Sequence, residues 1–300
     1  MTNYHNPVLL KECIEGLNID PEGTYVDVTF GGGGHSREIM KHLKGGRLIA
    51  FDQDEEALRN KIEDPGFTLV QQNFRYMKNF LKLHRAIPVD GILADLGVSS
   101  HQFDVPDRGF STRFDAELDM RMDLNGKLTA SSMLGEYAER DLARIFREFG
   151  EIENAGKVAY RIAEYRKDKK ISTVNEFKEV IAGCIPRGKE NQYLAQIFQA
   201  MRIEVNNELE VLKEFLLQCA EVLKDKGRLV VISYHSLEDR LVKNFIAKGK
   251  FEGEVEKDFF GNVLKPMAAV NRKVIVPGTE ELQLNNRSRS AKLRIAERRV

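Results

Sequence analysis

No run in this chain approaches the roughly eighteen consecutive apolar residues that would span a bilayer, and Met1 to Leu10 lacks the basic segment and apolar core of an export signal. The expected compartment is therefore the cytoplasm, with no membrane partner. Cysteine is scarce: Cys13, Cys184 and Cys219 are odd in number, far apart and without a Cys-x-x-Cys pair, which argues against a disulfide framework or a structural zinc. The six histidines show no His-x-His or His-x-x-x-His spacing, so no metal site is expected. Charge of one sign is also missing. The 46 lysines and arginines balance 46 acids, so no global field recruits nucleic acid, and any such binding must come from local patches. Repeats and low-complexity tracts are absent as well. What remains, 300 residues with 42% hydrophobic and 31% charged, is the composition of a globular enzyme able to bury one large core or two smaller ones.

The chain is organised around Asp27-Val-Thr-Phe-Gly-Gly-Gly-Gly-His-Ser36. An apolar strand candidate, 24–28, precedes the glycines and a helix candidate, 36–43, follows them. Glycine lets the backbone bend sharply there and lets a ligand approach, while the amides opening the helix would face a polar group. Further on, 47–51, 67–70 and 90–94 read as strands, with helical segments at 55–62 and 76–84 between them. A leading helix covers 7–17. Such strands lack polar alternation and their connections are short, the pattern of a parallel sheet covered on both faces. Ligands bind such sheets at the carboxyl ends of the strands, where Gly31 to His35, Asp52, Phe74 and Asp95 fall.

The rhythm then breaks. The next strand, Arg228 to Ser233, lies over a hundred residues on, although one crossover helix, 205–223 with Lys226-Gly227 as its stop, suffices to reach it. Residues 106–202 therefore read as an inserted domain, helical over 130–149, 157–165, 173–184 (opened by the capping box Thr173-Val-Asn-Glu176) and 193–201. Residues 1–105 and 203–300 would form the discontinuous sheet domain. Ser236 and Asp239 are expected to cap a helix to about 247, and 272–276 with 291–296 to pair as the last two strands.

Asp52 ends the second strand about twenty residues after the glycine turn, where a carboxylate can accept both hydroxyls of a ribose. Its bland alternative is a cap for the helix carrying Glu55 and Glu56. The pairing says adenosine without choosing between nicotinamide and S-adenosylmethionine chemistry. Phe74 could stack on an adenine face or be an ordinary core aromatic. His35 could reach a ligand or merely open a helix. Asp95, with Gly97 beside it, could orient a reacting amine or satisfy neighbouring turn amides. Ser233, His235 and Ser236 are sequence neighbours without a Gly-x-Ser-x-Gly elbow, so a hydrolase triad is discounted and His235 stays a candidate pocket wall. The tail carries Arg287, Arg289, Lys292, Arg294, Arg298 and Arg299 against one acid, and the insert adds Arg161, Arg166, Lys167, Lys169 and Lys170; both patches could meet phosphates or be solvated surface.

Taken together, His5-Asn-Pro-Val-Leu-Leu10, Thr29-Phe-Gly-Gly-Gly-Gly-His-Ser36, Phe51-Asp-Gln-Asp54, Asp95-Leu-Gly-Val-Ser-Ser100, Arg108-Gly-Phe-Ser111, Leu118-Asp-Met-Arg-Met122, Phe198 to Asn206, Ser233 to Arg240 and Arg287 to Arg294 run the length of the chain in one order. On these segments the chain resembles the bacterial small-subunit ribosomal RNA (cytosine-N(4))-methyltransferases, the RsmH or MraW family. The resemblance implies a class I (Rossmann-like) α/β methyltransferase sheet interrupted by a helical, substrate-recognising domain. It also implies S-adenosylmethionine as cofactor, held by Gly33, Gly34, His35, Asp52, Phe74, Asp95 and Gln102, and a cytosine of 16S ribosomal RNA in the small ribosomal subunit as target. Asp95 is the expected catalytic residue, it or a backbone carbonyl beside it accepting from the amine, with Ser99 or Ser100 assisting and the loop from Gln102 to Met122 covering the base. The family pattern has proline where this chain has His101. Two other readings stand beside it: a NAD-dependent dehydrogenase on a similar sheet, and a non-catalytic RNA-binding scaffold. The oligomeric state is open, a homodimer being one option.

Overall fold

A computed structural model describes residues 7–299, apart from the side chains of Ser100, His101 and Asn286. His5 and Asn6 of the first family-like segment, and the side chains on which the His101 departure and a role for Ser100 turn, lie outside the described residues. The chain divides into two compact units, Met1–Gly97 with Leu209–Val300, and Val98–Glu208. The inserted unit is wider at both ends than 106–202. Among the described residues no helix is long and apolar enough to cross a membrane.

The first unit is a seven-stranded sheet: β1 Thr24–Asp27, β2 Arg47–Asp52, β3 Phe67–Gln71, β4 Val89–Asp95, β5 Leu223–Ser233, β6 Met267–Ala269 and β7 Lys292–Arg298, in the order β3-β2-β1-β4-β5-β7-β6. The strands β1 to β5 run parallel, and β7 lies antiparallel between β5 and β6. Side chains on a strand alternate between faces, and both faces here are buried. In β2, Ile49 and Phe51 enter one core with Leu229 and Val231 of β5, while Leu48 and Ala50 enter the other with Val230 and Ile232. That is why the strands read as continuous apolar runs. The strand order reverses between β1 and β4, so the carboxyl ends of β1, β2 and β4 border the crevice where such sheets bind ligands.

Three local readings in this unit need correction. The fifth strand starts at Leu223, paired with Val89, and its register shifts before Arg228 meets Gly91; Lys226, at φ 61°, sits in this irregularity and is not a helix stop. The segment 272–276 is not a strand, since only Ile275 bridges Leu293, and β7 pairs instead with Met267–Ala269. Asn271 explains the difference: its side-chain oxygen takes the Ile295 amide at 2.8 Å and its NH2 donates to Lys273 O at 2.7 Å, doing with a side chain what a continuing ladder would do with backbone. Lastly, the helix Ser236–Lys248 is capped by His235, whose ring accepts from the Glu238 amide while Glu238 accepts from the His235 amide. Asp239 instead faces Arg294.

The inserted unit packs helices Ala130–Glu136, Glu139–Gly150, Ala155–Tyr165, Val174–Ile181 and Glu190–Asn206 around Leu142, Phe146, Ile162, Phe177 and Ile197. The run 130–149 is two helices, because Tyr137 and Ala138 are extended. Its apolar period carries on across the break since both pieces face the same core. The Thr173–Glu176 capping box forms, and Thr173 also makes one antiparallel bridge with Glu117. The loop 118–122 is tied to the last of these helices: Asn206 accepts from the Met122 amide at 2.8 Å and donates to Met120 O at 2.8 Å.

Candidate functional site

Each residue expected at the sheet's carboxyl edge can be followed from its strand. After β1 the chain turns through Gly31 at φ 49° and Gly33 at φ 74°, left-handed positions that favour glycine, and the Gly33 amide closes the turn on Phe30 O at 2.7 Å. A Cβ at Gly34 would stand 2.4 Å from the Pro7 ring, so nothing larger than glycine fits there. His35 opens the helix Gly34–His42 buried, its Nε2 3.0 Å from Val8 O.

Asp52 closes β2 and reaches back to the turn. Its Oδ2 accepts the Gly31 amide at 2.7 Å and its Oδ1 the Asp54 amide at 2.8 Å. Capping of the segment Glu55–Asn60 falls to Asp54, which accepts from the Glu56 amide, so the bland reading of Asp52 as the cap does not hold. Burial pushes the Asp52 carboxyl up to about 6, against the lowering effect of the two amides. Phe74 follows β3, half-buried and packed edge-to-face on Phe215 at 5.3 Å between ring centres.

Asp95 ends β4. Its backbone amide donates to Thr29 Oγ1 at 2.7 Å, which ties the ends of β1 and β4 together. Among the described residues the carboxylate serves no turn amide: Oδ1 accepts the Tyr234 hydroxyl at 2.7 Å, and Oδ2 lies 3.8 Å from His35 Nδ1. Burial raises its pKa, with His35 and the Tyr234 donor pulling the other way. Gly97, at φ 96°, lies against the Tyr234 ring.

Two residues of this edge carry no expected role in the sequence. Asp27 is buried at the end of β1, accepts Ser36 Oγ at 2.6 Å and the Thr29 amide at 3.0 Å, and has its pKa raised by burial. Tyr234 follows β5. The available signal was position, since both stand where a buried strand runs out. Gln102 belongs to the inserted unit, buried, with its side-chain oxygen accepting from the Ser99 amide while Ser99 Oγ accepts from the Gln102 amide. That pairing gives the Ser99 hydroxyl a local structural task.

The edge thus gathers three carboxylates, Asp27, Asp52 and Asp95, beside a glycine turn. Such an acceptor set suits a ligand with hydroxyls and positive charge and disfavours a pyrophosphate. It fits an adenosine carrying a sulfonium: Asp52 keeps a second lone pair on each oxygen for two ribose hydroxyls.

The basic patches are less free than their sequence suggests. Arg294 is committed to Asp239 in a bidentate pair at 2.7 and 3.1 Å, Arg298 donates to Pro266 O at 3.0 Å, and Lys292 lies 3.8 Å from Asp239. In the insert Arg166 donates to Leu134 O and Tyr137 O, and Lys167 and Lys169 pair with Glu164 and Glu176. Arg289 and Lys170 are exposed. The inserted unit also holds a cavity of about 180 Å³ lined by Phe103, Phe110, Met120, Phe198, Gln199 and Arg202, among others.

Residues 2–299 match the model of the MraW methylase family. The chain is 59% identical to the ribosomal RNA small subunit methyltransferase H of Flavobacterium johnsoniae, covering 98% of each protein. It is 58% identical to the protein of the same name in Cytophaga hutchinsonii, covering 98% of this chain and 99% of that one. For the Bacteroides fragilis protein, again of that name, identity is 57% over 99% of this chain and 98% of the relative.

Proposed function

Because this chain belongs to the MraW methylase family, as an S-adenosylmethionine-dependent methyltransferase of ribosomal RNA, we propose that its acceptor is the exocyclic N4 amine of a cytosine in the decoding region of 16S ribosomal RNA, within the small ribosomal subunit. Membership of a methylase family removes the dehydrogenase alternative. Gly33, Gly34 and His35 line the cofactor's path over the turn, Asp52 takes the ribose hydroxyls and Phe74 walls the adenine. Asp95 stands nearest the chemistry. The family's assignment of Gln102 to the cofactor site carries over as part of this proposal.

When bound, the cofactor supplies an electrophilic methyl group. The chain must supply the rest. The cytosine amine is a poor nucleophile because its lone pair is delocalised into the ring; as it reacts it pyramidalises and gains positive charge. An acceptor on its hydrogens, with nitrogen held about 3–3.5 Å from its target and in line, favours that change. Asp95 is that acceptor. A carboxylate aimed at the cofactor's own positive charge would instead stabilise the reactant and slow transfer. The observation that supports this role is the arrangement at the end of β4: a shielded carboxylate with raised proton affinity, held by a tyrosine and, among the described residues, bonded to no turn amide.

The inserted unit serves substrate recognition. A stacked base must be extruded at a cost of a few kcal/mol, returned by pocket contacts and by cations on the phosphates. Its aromatic-lined cavity suits an unstacked base. The test is incubation with labelled S-adenosylmethionine and, separately, free 16S RNA, an assembly intermediate and complete small subunits, followed by nucleoside mass spectrometry. N4-methylcytidine at one position is expected; a label on carbon or on another base would refute the acceptor, and no label at all would leave a scaffold. Asp95→Asn is expected to cut turnover far more than it weakens cofactor binding, and equal losses would make Asp95 a binding residue only.

A further inference from the structure

The reaction leaves a proton to be placed, and the residues around Asp95 decide where it can go. The two oxygens of this carboxylate are not equivalent. Oδ1 accepts the Tyr234 hydroxyl at 2.7 Å. Among the described residues Oδ2 accepts no hydrogen bond, and it lies 3.8 Å from His35 Nδ1. His35 Nε2 sits 3.0 Å from Val8 O, and since a carbonyl can only accept, Nε2–H donates to it. At 3.8 Å Nδ1 stands beyond hydrogen-bond distance of Oδ2, so that oxygen remains an acceptor.

We infer that Tyr234 is a positioning residue for methyl transfer: its hydroxyl pins Oδ1 of Asp95 and thereby reserves Oδ2 to accept a proton from the cytosine amine. This rests on the reading of Asp95 given above. In the step concerned, an N–H bond of the methylated amine breaks, its electron pair stays on nitrogen, and the proton passes to Oδ2, which becomes a carboxylic O–H. Tyr234 keeps its own proton throughout. Burial and the neighbouring carboxylate raise its pKa well above the usual phenol value, so it stays a donor. Its ring is held against Gly97. Its backbone amide donates to Glu238 Oε2 at 2.9 Å, which fixes the residue just after β5.

Several groups face Asp95 from the packed elements: His35 and Asp27 near the glycine turn, Tyr234 after β5, Glu238 on the following helix and Cys13 on the leading helix. Among the described residues only Tyr234 donates to the carboxylate at hydrogen-bond distance. Removing that donor raises the proton affinity of Asp95, since a hydrogen bond to the charged form favours it.

Tyr234→Phe keeps the ring and deletes the hydroxyl alone. With saturating cofactor and small-subunit substrate we expect kcat to fall by about tenfold or more, and cofactor Kd to stay within about twofold. The acid limb of the kcat–pH profile should move to higher pH. Carbon-detected NMR of the Asp95 carboxyl, read in the protein without substrate, should titrate higher in Tyr234→Phe than in the parent. Unchanged kcat would overturn the inference. So would a lowered kcat whose acid limb and Asp95 titration coincide with the parent's, because a purely structural role would produce that. Asp95→Asn separates the two claims: if it keeps full turnover, the role of Asp95 itself fails, whereas an inactive Asp95→Asn with a normal Tyr234→Phe overturns only the inference.

Discussion

Asp52 joins the second strand to the glycine turn before any ligand arrives, through Gly31 on one oxygen and Asp54 on the other. With its pKa raised to about 6 by burial, the folded protein holds this proton more tightly than the unfolded chain does. The contribution to stability is thus fullest below the ordinary carboxylate range and is lost as pH rises through about 6; Asp27 and Asp95, also raised, act in the same direction. On the role proposed for Asp52, cofactor binding has the opposite dependence, because ribose hydroxyls need the ionised acceptor. We expect S-adenosylmethionine affinity to weaken as pH drops below 6, and Asp52→Asn to bind weakly with that dependence removed, both measurable by calorimetric titration from pH 5 to 8. Arg294 and Arg289 separate at the same scale. Arg294→Glu breaks a shielded pair with Asp239 and should destabilise by about 3–5 kcal/mol. Arg289→Glu, on an exposed side chain, should leave the urea midpoint unchanged and weaken RNA binding with a shallower salt slope. Equal RNA affinity in parent and Arg289→Glu would take the tail out of the RNA contact.

Among the elements, those set by local chemistry were readable. Thr173 and Glu176 announce a helix start because the box needs only residues three apart, and both of its hydrogen bonds form. Thr173→Ala should therefore cost about 1 kcal/mol, seen as a lower denaturation midpoint. Where the deciding partner is distant, the same signals mislead. Ser236 and Asp239 look like a cap, yet the fold gives that task to His235 and Glu238 because Asp239 is drawn to Arg294 on β7. The segment 272–276 alternates like a strand, but Asn271 occupies the Ile295 amide and the ladder moves to Met267–Ala269.

For the whole molecule, the interruption between β4 and β5 was legible as a gap too long for one crossover, while its limits, Val98 and Glu208, were not. Asn207 ends one helix in the left-handed region and the next begins at Glu208, a break that apolar periodicity passes over. A ligand bound by the folded sheet unit alone stabilises it by mass action, about 2.7 kcal/mol at a hundred times Kd. S-adenosylmethionine should accordingly raise the thermal midpoint in a concentration-dependent way while NAD leaves it unmoved, and a NAD shift of equal size would contradict the fit of the acid-lined edge.

By itself the sequence determined the alternation of strands and helices, the glycine turn, the place of Asp52 after β2 and the presence of an insert, because each depends on residues near in sequence and on the period with which apolar groups repeat. Only the tertiary structure decided that Tyr234 holds Asp95 across 139 residues, that Asp27 joins the same edge, and that Arg294 serves the fold. Those pairings arise when the winding of the sheet brings distant strand ends side by side, and no spacing along the chain encodes which side chains will meet there.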